Sequence, residues 1–350
     1  MFFLKKFDRR KIFLLQLERM RKSRFVSLLG LFVFCVGLCV CRGKNIFVVK
    51  KDRAVPLFNT RDLKQLPYYV GQYGTSCRNL MSVLSPGSYL KVISKNAEGV
   101  YEVSWLRGKK KGNIGYVHEK LLKQCCEQIE EKDIKYGASP MSLKEIRGFF
   151  KLCSEQKFPY CWGGNSEDEI VLPEGYGFVQ ISEDPGQAIK KEFSGKPYRL
   201  HGFDCCGLVY HVSGGLLKRT TWGIRNQGML LHCFDKKSEK ISREELAEFL
   251  SKLQDTDCII LKGYRVGTEP DPMKDNPGHL ATWYNGGILE FRGVDYGCEY
   301  RTEQEEVLNR VMGWIERVRK SEDEECDLRF IRWHPELLKE KFTKYFPQEK

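Results

Sequence analysis

Residues His201–Val212 read HGFDCCGLVYHV, with two adjacent cysteines between an aspartate and an apolar run. Asp204 is a good helix N-cap, and the apolar residues that follow recur with helical spacing, so the stretch predicts a helix that begins near Cys205. A thiol in the first turn lies at the positive end of the helix dipole, where its pKa falls from about 8.5 to roughly 3.5–7.5. The stretch is therefore compatible with a structural cysteine, a zinc ligand or a reactive thiolate. Other features of the sequence are needed to distinguish these three interpretations.

Cysteine spacing argues against zinc. The chain has 14 cysteines, three of them within residues 1–43. The others are odd in number, so an exported protein would keep at least one thiol without an intramolecular partner. No two cysteines have CxxC spacing, and the doublets Cys125-Cys126 and Cys205-Cys206 suit neither a zinc knuckle nor an easy local disulfide. We predict neither a metal nor a cofactor.

Positive charge is concentrated at the N-terminus. The net charge is +12, and residues 1–43 hold ten Lys/Arg against two Asp/Glu. The rest of the chain shows no Lys/Arg stripe interleaved with aromatic residues, which is the pattern expected of a nucleic-acid surface. Nucleic-acid binding is not supported.

The N-terminal charge fits an export segment better. The sequence MRKSRFVSLLGLFVFCVGLCVCRG begins at Met20 and places a short basic region before an apolar run from about Phe25 to Cys41. This layout is typical of a secretory signal peptide, because the apolar run is short for a transmembrane helix of roughly 20 residues. We predict that residues 1–43 are a signal peptide or a membrane anchor, with lipid attachment at Cys39 or Cys41 as a further alternative. The protein is then exported, to the periplasm or the envelope.

Residues 44–122 alternate between short apolar segments and turns, which favours a small β-barrel. The order LSPGSYLKVIS, GVYEVSW and GKKKGNIGYVHEKLL resembles a bacterial SH3-like domain, whose last strand carries Gly-aromatic-Val before a Leu-ended tail. Residues 123–141 are charged and then rich in turn residues, which is typical of a linker. A second domain is predicted over 142–336, followed by a C-terminal tail over 337–350.

The second domain is predicted to begin with a helix. Ser142 and Glu145 form a capping box, and four apolar residues from Ile146 to Cys153 fall on one helical face. The motif PYCWGG follows, and after it an irregular stretch of about 36 residues that is long enough to indicate a functional loop.

A thiolate that performs acyl transfer needs a base, usually His, held in place by a third polar group. Of the six histidines, His211 lies on the Cys205 helix about 240° around the axis from it and faces away. His201 precedes that helix and is a weak rival. The remaining candidate with a supporting pattern is His279.

The sequence GHLATWYNGGILEFRG predicts two strands joined by an Asn285-Gly286 turn. With this turn Ala281 pairs with Glu290, so Glu290 lies diagonally across from His279 on the same face of the hairpin. The register thus offers a base and an orienting carboxylate. A surface His near a surface Glu on an edge hairpin is the alternative interpretation.

Three motifs in order, PYCWGG, FDCCGLV and GHLATWYNGG, resemble those of the NlpC-type cell-wall cysteine peptidases. The family pattern is Tyr-x-Trp-Gly-Gly, Asp-Cys-Ser-Gly-Leu and a His at the start of a strand. Matching motifs run from about residue 142 to the segment DLRFIRW at 327–333. The resemblance implies an α+β fold, with an SH3-like barrel before a papain-like domain whose helix and antiparallel sheet carry the reactive residues.

By position, the resemblance makes Cys205 the nucleophile and His279 its base. Glu290 falls where the family has a variable third polar residue, most often His or a neutral group. An acidic residue there should still orient His279 and stabilise its charged form.

The resemblance also implies substrate contacts. Tyr160 would support the bound substrate or the oxyanion, and Asp204 and Cys206 would lie where the family binds the free N-terminal amine of a peptide stem. Cys206 replaces the usual Ser, a better hydrogen-bonding group, so amine recognition should be altered.

The function implied is that of a cysteine endopeptidase acting on peptidoglycan-derived stem peptides, at the bond between D-glutamate and a diamino acid. One alternative is an amidase that cuts between the sugar and the peptide stem. The other is an inactive wall-binding protein that acts through its barrel.

Overall fold

The computed structural model describes residues 45–107, 110–134, 140–182, 191–192, 198–262, 278–323, 325–336 and 338. The predicted signal peptide or anchor over 1–43 and nearly all of the predicted tail lie outside these residues. Two compact units divide the chain, one with residues 1–46 and 128–134 and the other with 47–127 and 135–350. In the first, Glu131–Asp133 form a single turn of 3₁₀ helix.

The first sheet contains most of the strands predicted for 44–122. Its described strands are β1 (Ile46–Val49), β2 (Val55–Phe58), β5 (Leu80–Leu84), β6 (Tyr89–Lys95), β7 (Val100–Arg107) and β8 (Lys110–His118). β5, β2, β8, β7 and β6 lie side by side in that order. Alternate residues such as Leu57, Val103 and Val117 are fully buried between them.

A second sheet combines strands from residues 66–76 with strands from residues 160–203. It holds β3 (Leu66–Gly71), β4 (Gly74–Ser76), β10 (Tyr160–Cys161), β11 (Asn165–Leu172), β12 (Phe178–Gln180), β13 (Lys191–Glu192) and β14 (Tyr198–Phe203). Tyr160 pairs in parallel with Gly74 on one side and with Phe203 on the other. A Cβ at Gly74 would lie 2.0 Å from the Tyr160 carbonyl oxygen, so the close pairing of β4 with β10 requires glycine there.

This pairing bears on the predicted organisation. The β3–β4 hairpin falls within the segment 44–122, predicted as a small β-barrel, but its partners are strands of the segment predicted as the second domain. The predicted linker also differs, because α1 (Glu119–Cys125) and β9 (Cys126–Ile129) extend into it. Leu121, Leu122 and Cys125 of α1 are buried in one core with strands of the first sheet, which explains why α1 continues past residue 122.

The third sheet is antiparallel throughout, in the order β15-β20-β16-β17-β18-β19. Its strands are β15 (Met229–Phe234), β16 (Cys258–Leu261), β17 (His279–Tyr284), β18 (Gly287–Phe291), β19 (Cys298–Arg301) and β20 (Leu328–Arg332). The predicted hairpin is confirmed: Asn285 and Gly286 turn with φ of 44° and 78°, and Ala281 pairs with Glu290.

Helices cover both faces of this sheet. They are α2 (Leu143–Gln156), α3 (Cys205–Val212), α4 (Thr221–Ile224), α5 (Arg243–Ser251) and α6 (Gln304–Lys320). The buried residues of α2 and α3 share one core with Leu280 and Phe291, and those of α5 and α6 share another with Ala281 and Ile288. The capping box of α2 forms as predicted, with Glu145 donating its backbone N–H to the Ser142 hydroxyl.

The fold is a mixture of helices and sheets, and the more specific arrangement of an SH3-like barrel before a papain-like domain stays a prediction. None of the helices in the described ranges is long and apolar enough to cross a membrane.

Candidate active site

Helix α3 begins at Cys205, as its sequence predicts. The N-cap Asp204 accepts hydrogen bonds at Oδ1 from the backbone N–H groups of Cys206, at 3.0 Å, and Gly207, at 2.7 Å. Its Oδ2 accepts a third, at 2.8 Å, from Gly163, which belongs to the PYCWGG motif. Asp204 thereby ties the start of α3 to the loop after β10.

Arg219, which the sequence gave no reason to select, completes the surroundings of Asp204. Its Nη1 and Nη2 donate to Oδ1 and Oδ2, each at 2.7 Å, and Nη2 also donates to the Gly164 carbonyl at 2.9 Å. The side chains of Asp204 and Arg219 are 11% and 8% exposed. Asp204 therefore accepts from five donors and carries a neutralised charge, so its contacts do not favour the predicted role in binding a substrate amine.

Cys205 and Cys206 differ in exposure and in acidity. Cys205 is partly exposed whereas Cys206 is buried, and their sulfur atoms are 3.8 Å apart. A hydrogen bond from the Cys206 thiol, and then the interaction with His279, lower the pKa of Cys205 to about 5. The same contact with Cys205 raises the pKa of Cys206. Cys205 is thus the thiolate of the pair and Cys206 its hydrogen-bond donor.

His279 lies between the Cys205 sulfur and Glu290. Its Nε2 is 2.6 Å from Glu290 Oε2, and the same ring interacts with the Cys205 thiol. Burial alone would lower the pKa of His279, but the interactions with Cys205 and Glu290 outweigh burial and raise the pKa to about 9. With one pKa near 5 and the other near 9, the pair is a thiolate and an imidazolium at neutral pH.

Glu290 is 1% exposed, so the alternative of a surface His–Glu pair on an edge hairpin does not apply. Arg310 donates to it twice, from Nε to Oε1 at 3.0 Å and from Nη2 to Oε2 at 2.8 Å. Arg301 donates to Oε1 as well. Burial alone would raise the pKa of Glu290, but His279 and then Arg310 lower it to about 2. The carboxylate stays charged over the whole range in which the thiolate exists.

Helix α6 contributes a second side chain at this place. The Trp314 ring lies 5.8 Å from the His279 ring, between centroids, and the Arg310 guanidinium lies 4.6 Å from the Trp314 ring. Neither residue was selected from the sequence, although their spacing of four places both on one face of α6.

Tyr160 lies on β10 beside Phe203, the last residue of the strand that leads into α3. It is buried, and burial raises its pKa, with smaller contributions from the nearby Asp204 and Cys205. The structure therefore brings Tyr160 close to Cys205 as a neutral phenol.

The rival histidines interact elsewhere. His211 Nε2 lies 3.1 Å from Glu167 Oε1, and the ring packs against Phe149 and Phe203. His201 Nε2 lies 3.0 Å from the Glu167 backbone oxygen. The prediction that His211 faces away from Cys205 agrees with these contacts.

A metal does not fit beside Cys205. Asp204, Cys205 and Cys206 place three possible ligand atoms within 4.8 Å of one another. Both oxygens of Asp204 are already held by the guanidinium of Arg219, and that positive charge would repel a cation. The eleven cysteines of the described ranges are all free thiols.

No protein-family model matches the chain, and no curated protein matches it in sequence. Among solved structures, NlpC2 from Trichomonas vaginalis matches at 15% identity and a TM-score of 0.22, over 71% of this chain and 68% of that one. NlpC1 from Trichomonas vaginalis matches at 14% identity and a TM-score of 0.25, over 81% of this chain and 69% of that one. These structural neighbours are NlpC-named proteins at low TM-score and low identity.

Proposed function

We propose that the chain is a cysteine peptidase in which Cys205 is the nucleophile, His279 the general acid and base, and Glu290 the group that orients His279. The observation that carries this proposal is the order of contacts from Cys205 through His279 to a buried Glu290. A structural cysteine would gain nothing from a lowered pKa, and perturbed pairs of this kind are typical of active sites.

The geometry supports the following course of reaction. The Cys205 thiolate attacks the carbonyl carbon of the scissile bond, and the imidazolium of His279 donates its proton to the departing amine. Water then attacks the thioester with His279 as base, which releases the carboxylic acid and regenerates the thiolate. Glu290 fixes the ring and balances its positive charge.

The hydrogen bonds in the first turn of α3 limit which backbone N–H groups can donate to the oxyanion. The N–H groups of Cys206 and Gly207 already donate to Asp204, and that of Leu208 donates to the Asp204 carbonyl at 3.3 Å. Within the first turn of α3, the N–H of Cys205 is left to face the oxyanion. The phenol of Tyr160 is the second donor that we propose.

We propose peptidoglycan stem peptides as the substrates and the bond between γ-D-glutamate and a diamino acid as the site of cleavage. The support for this choice is the order of the motifs PYCWGG, FDCCGLV and GHLATWYNGG in the sequence. Because Arg219 neutralises Asp204, the site does not require a positive charge on the substrate at that place. Stems with a free amine and stems with a blocked amine are then both acceptable.

Mass spectrometry of products from defined peptides tests the proposal. Purified protein is incubated with L-Ala-γ-D-Glu-diaminopimelate and with the same stem joined to N-acetylmuramic acid. We expect release of the free diamino acid from both, complete loss of turnover in Cys205→Ser, and full turnover in Cys233→Ser, a partly exposed cysteine on β15. Release of an intact stem from the sugar would instead identify an amidase, and turnover in Cys205→Ser would remove the nucleophile from the proposal.

A further inference from the structure

One face of helix α6 lies against His279 and Glu290. Arg310 makes a two-point contact with Glu290, and Trp314 packs against both His279 and the Arg310 guanidinium. Trp314 is 5% exposed. Arg310, Trp314, His279 and Glu290 therefore form a closed ring of contacts, which is called the α6 clamp below.

The clamp addresses a physical difficulty of the site. A carboxylate that is 1% exposed is strongly destabilised unless its charge and its lone pairs are satisfied. Glu290 has four such contacts, one from His279, two from Arg310 and one from Arg301. Without Arg310, half of these contacts are lost, and the carboxylate is held against His279 less firmly.

Other charges near the pair do not replace Arg310. Arg301 shares its guanidinium with Glu299, at 2.5 Å, and Glu299 also accepts from Arg292 at 2.9 Å. On the sulfur side, Asp204 and Arg219 neutralise each other. The titratable and charged groups that face the pair, from all elements packed against it, are Tyr160, Asp204, Cys206, Arg219, Arg292, Cys298, Glu299, Arg301 and Arg310.

We propose that Arg310 and Trp314 are positioning residues of the active site, and that helix α6 is needed to keep Cys205 reactive. The helix acts through Glu290 and His279, which Arg310 and Trp314 contact. This inference rests on the proposed thiolate–imidazolium pair, but not on the identity of the substrate.

The expected effect follows from the order of contacts. A Glu290 held in place stabilises the His279 imidazolium, and the imidazolium stabilises the Cys205 thiolate. When the clamp loosens, both stabilisations weaken, so the thiolate forms only at higher pH. The acid limb of Cys205 reactivity therefore moves to higher pH.

The test is the rate of Cys205 alkylation by iodoacetamide as a function of pH, with the modified residue identified by peptide mapping. We expect Arg310→Met to move the acid limb upward by about one pH unit and to lower the rate near pH 5 by about fivefold. Arg310→Lys keeps the charge but loses the two-point contact, so it should lie between Arg310→Met and the unaltered protein. Arg317→Met, an exposed arginine on the same helix, is the matched control and should not move the limb.

A second variant covers the case in which Arg310→Met does not fold. Trp314→Phe keeps an apolar ring but loses part of the contact with His279 and Arg310, and it should move the acid limb in the same direction as Arg310→Lys. Folded Arg310→Lys and Trp314→Phe proteins with an unmoved limb would overturn the proposal, even if their thermal stability had fallen. A clamp effect on alkylation in a protein that hydrolyses no stem peptide would uphold this inference and defeat only the proposed substrate.

Discussion

Two buried carboxylates flank the reactive pair, and each is held by an arginine through two hydrogen bonds. Asp204 lies at the start of α3 and receives its other hydrogen bonds from backbone N–H groups. Glu290 lies on β18 and receives another of its hydrogen bonds from His279. The same kind of carboxylate–arginine pair therefore has two uses. Asp204 with Arg219 holds the backbone around Cys205, the proposed nucleophile, and Glu290 with Arg310 orients His279, the proposed base.

The comparison shows that burial and ion pairing alone do not identify a catalytic carboxylate. What distinguishes Glu290 is a titratable neighbour, His279, that interacts with Cys205, the proposed nucleophile. Substitutions that remove only the charge should distinguish the two carboxylates. Removing the charge of Asp204 should change mainly stability, and removing that of Glu290 should change mainly turnover.

The largest effect is expected from Asp204→Asn. Asparagine still caps the helix, but the buried guanidinium of Arg219 loses its counter-charge, which costs about 3–5 kcal/mol of unfolding free energy. Urea unfolding followed by circular dichroism measures this loss. Turnover by the protein that remains folded should fall little, so a stable Asp204→Asn protein without activity would place Asp204 in the chemistry.

Glu290→Gln should reduce kcat by at least about a hundredfold with little change in KM, because the amide does not balance the charge of the His279 imidazolium and its NH₂ group cannot accept from Arg310 or His279. Steady-state kinetics on a stem peptide provides the measurement, and circular dichroism confirms folding. Glu299→Gln is the matched control, since Glu299 lies opposite Glu290 on the neighbouring strand and contacts the arginines but not His279. If the Glu290→Gln protein were as active as the Glu299→Gln protein, Glu290 would have no special role in orienting His279.

The sequence allowed the reactive pair and Glu290 to be predicted, but not the arginines that hold the two carboxylates. The positions of Cys205, His279 and Glu290 could be predicted because a helix N-cap and a two-residue hairpin turn are local features that fix where side chains point. Arg219 and Arg310 could not, because each reaches its carboxylate across the tertiary structure, over 15 and 20 residues of chain. The pairing of Gly74 with Tyr160 was missed for the same reason, since strand pairing at long range leaves no periodic trace in either segment.

The substrate amine provides a weaker test of Asp204. If Arg219 neutralises this carboxylate, acetylation of the L-Ala amine should change kcat/KM by less than about tenfold. Rates on free and acetylated tripeptide, measured side by side, decide the point. A larger preference for the free amine would show that a substrate cation competes with Arg219 for Asp204.

The smallest effect is expected from Cys206→Ser. A hydroxyl replaces the thiol that donates to Cys205 and can make the same hydrogen bond, so turnover should stay within about threefold of that of the unaltered protein. Cys206→Ala removes the donor and should raise the pKa of Cys205. Loss of turnover in Cys206→Ser as complete as in Cys205→Ser, with both proteins folded, would exchange the roles of the two thiols.

The most direct test of the thiolate–imidazolium pair compares two pH profiles of the unaltered protein. Alkylation needs only the thiolate, so its rate should rise through a pKa of about 5 and stay high above pH 9. Peptide hydrolysis also needs the His279 proton for the leaving amine, so it should rise through the same value and fall again through about 9. Alkylation at Cys205 that begins only near the ordinary thiol pKa of about 8.5 would contradict the ion pair and with it the account of both carboxylates.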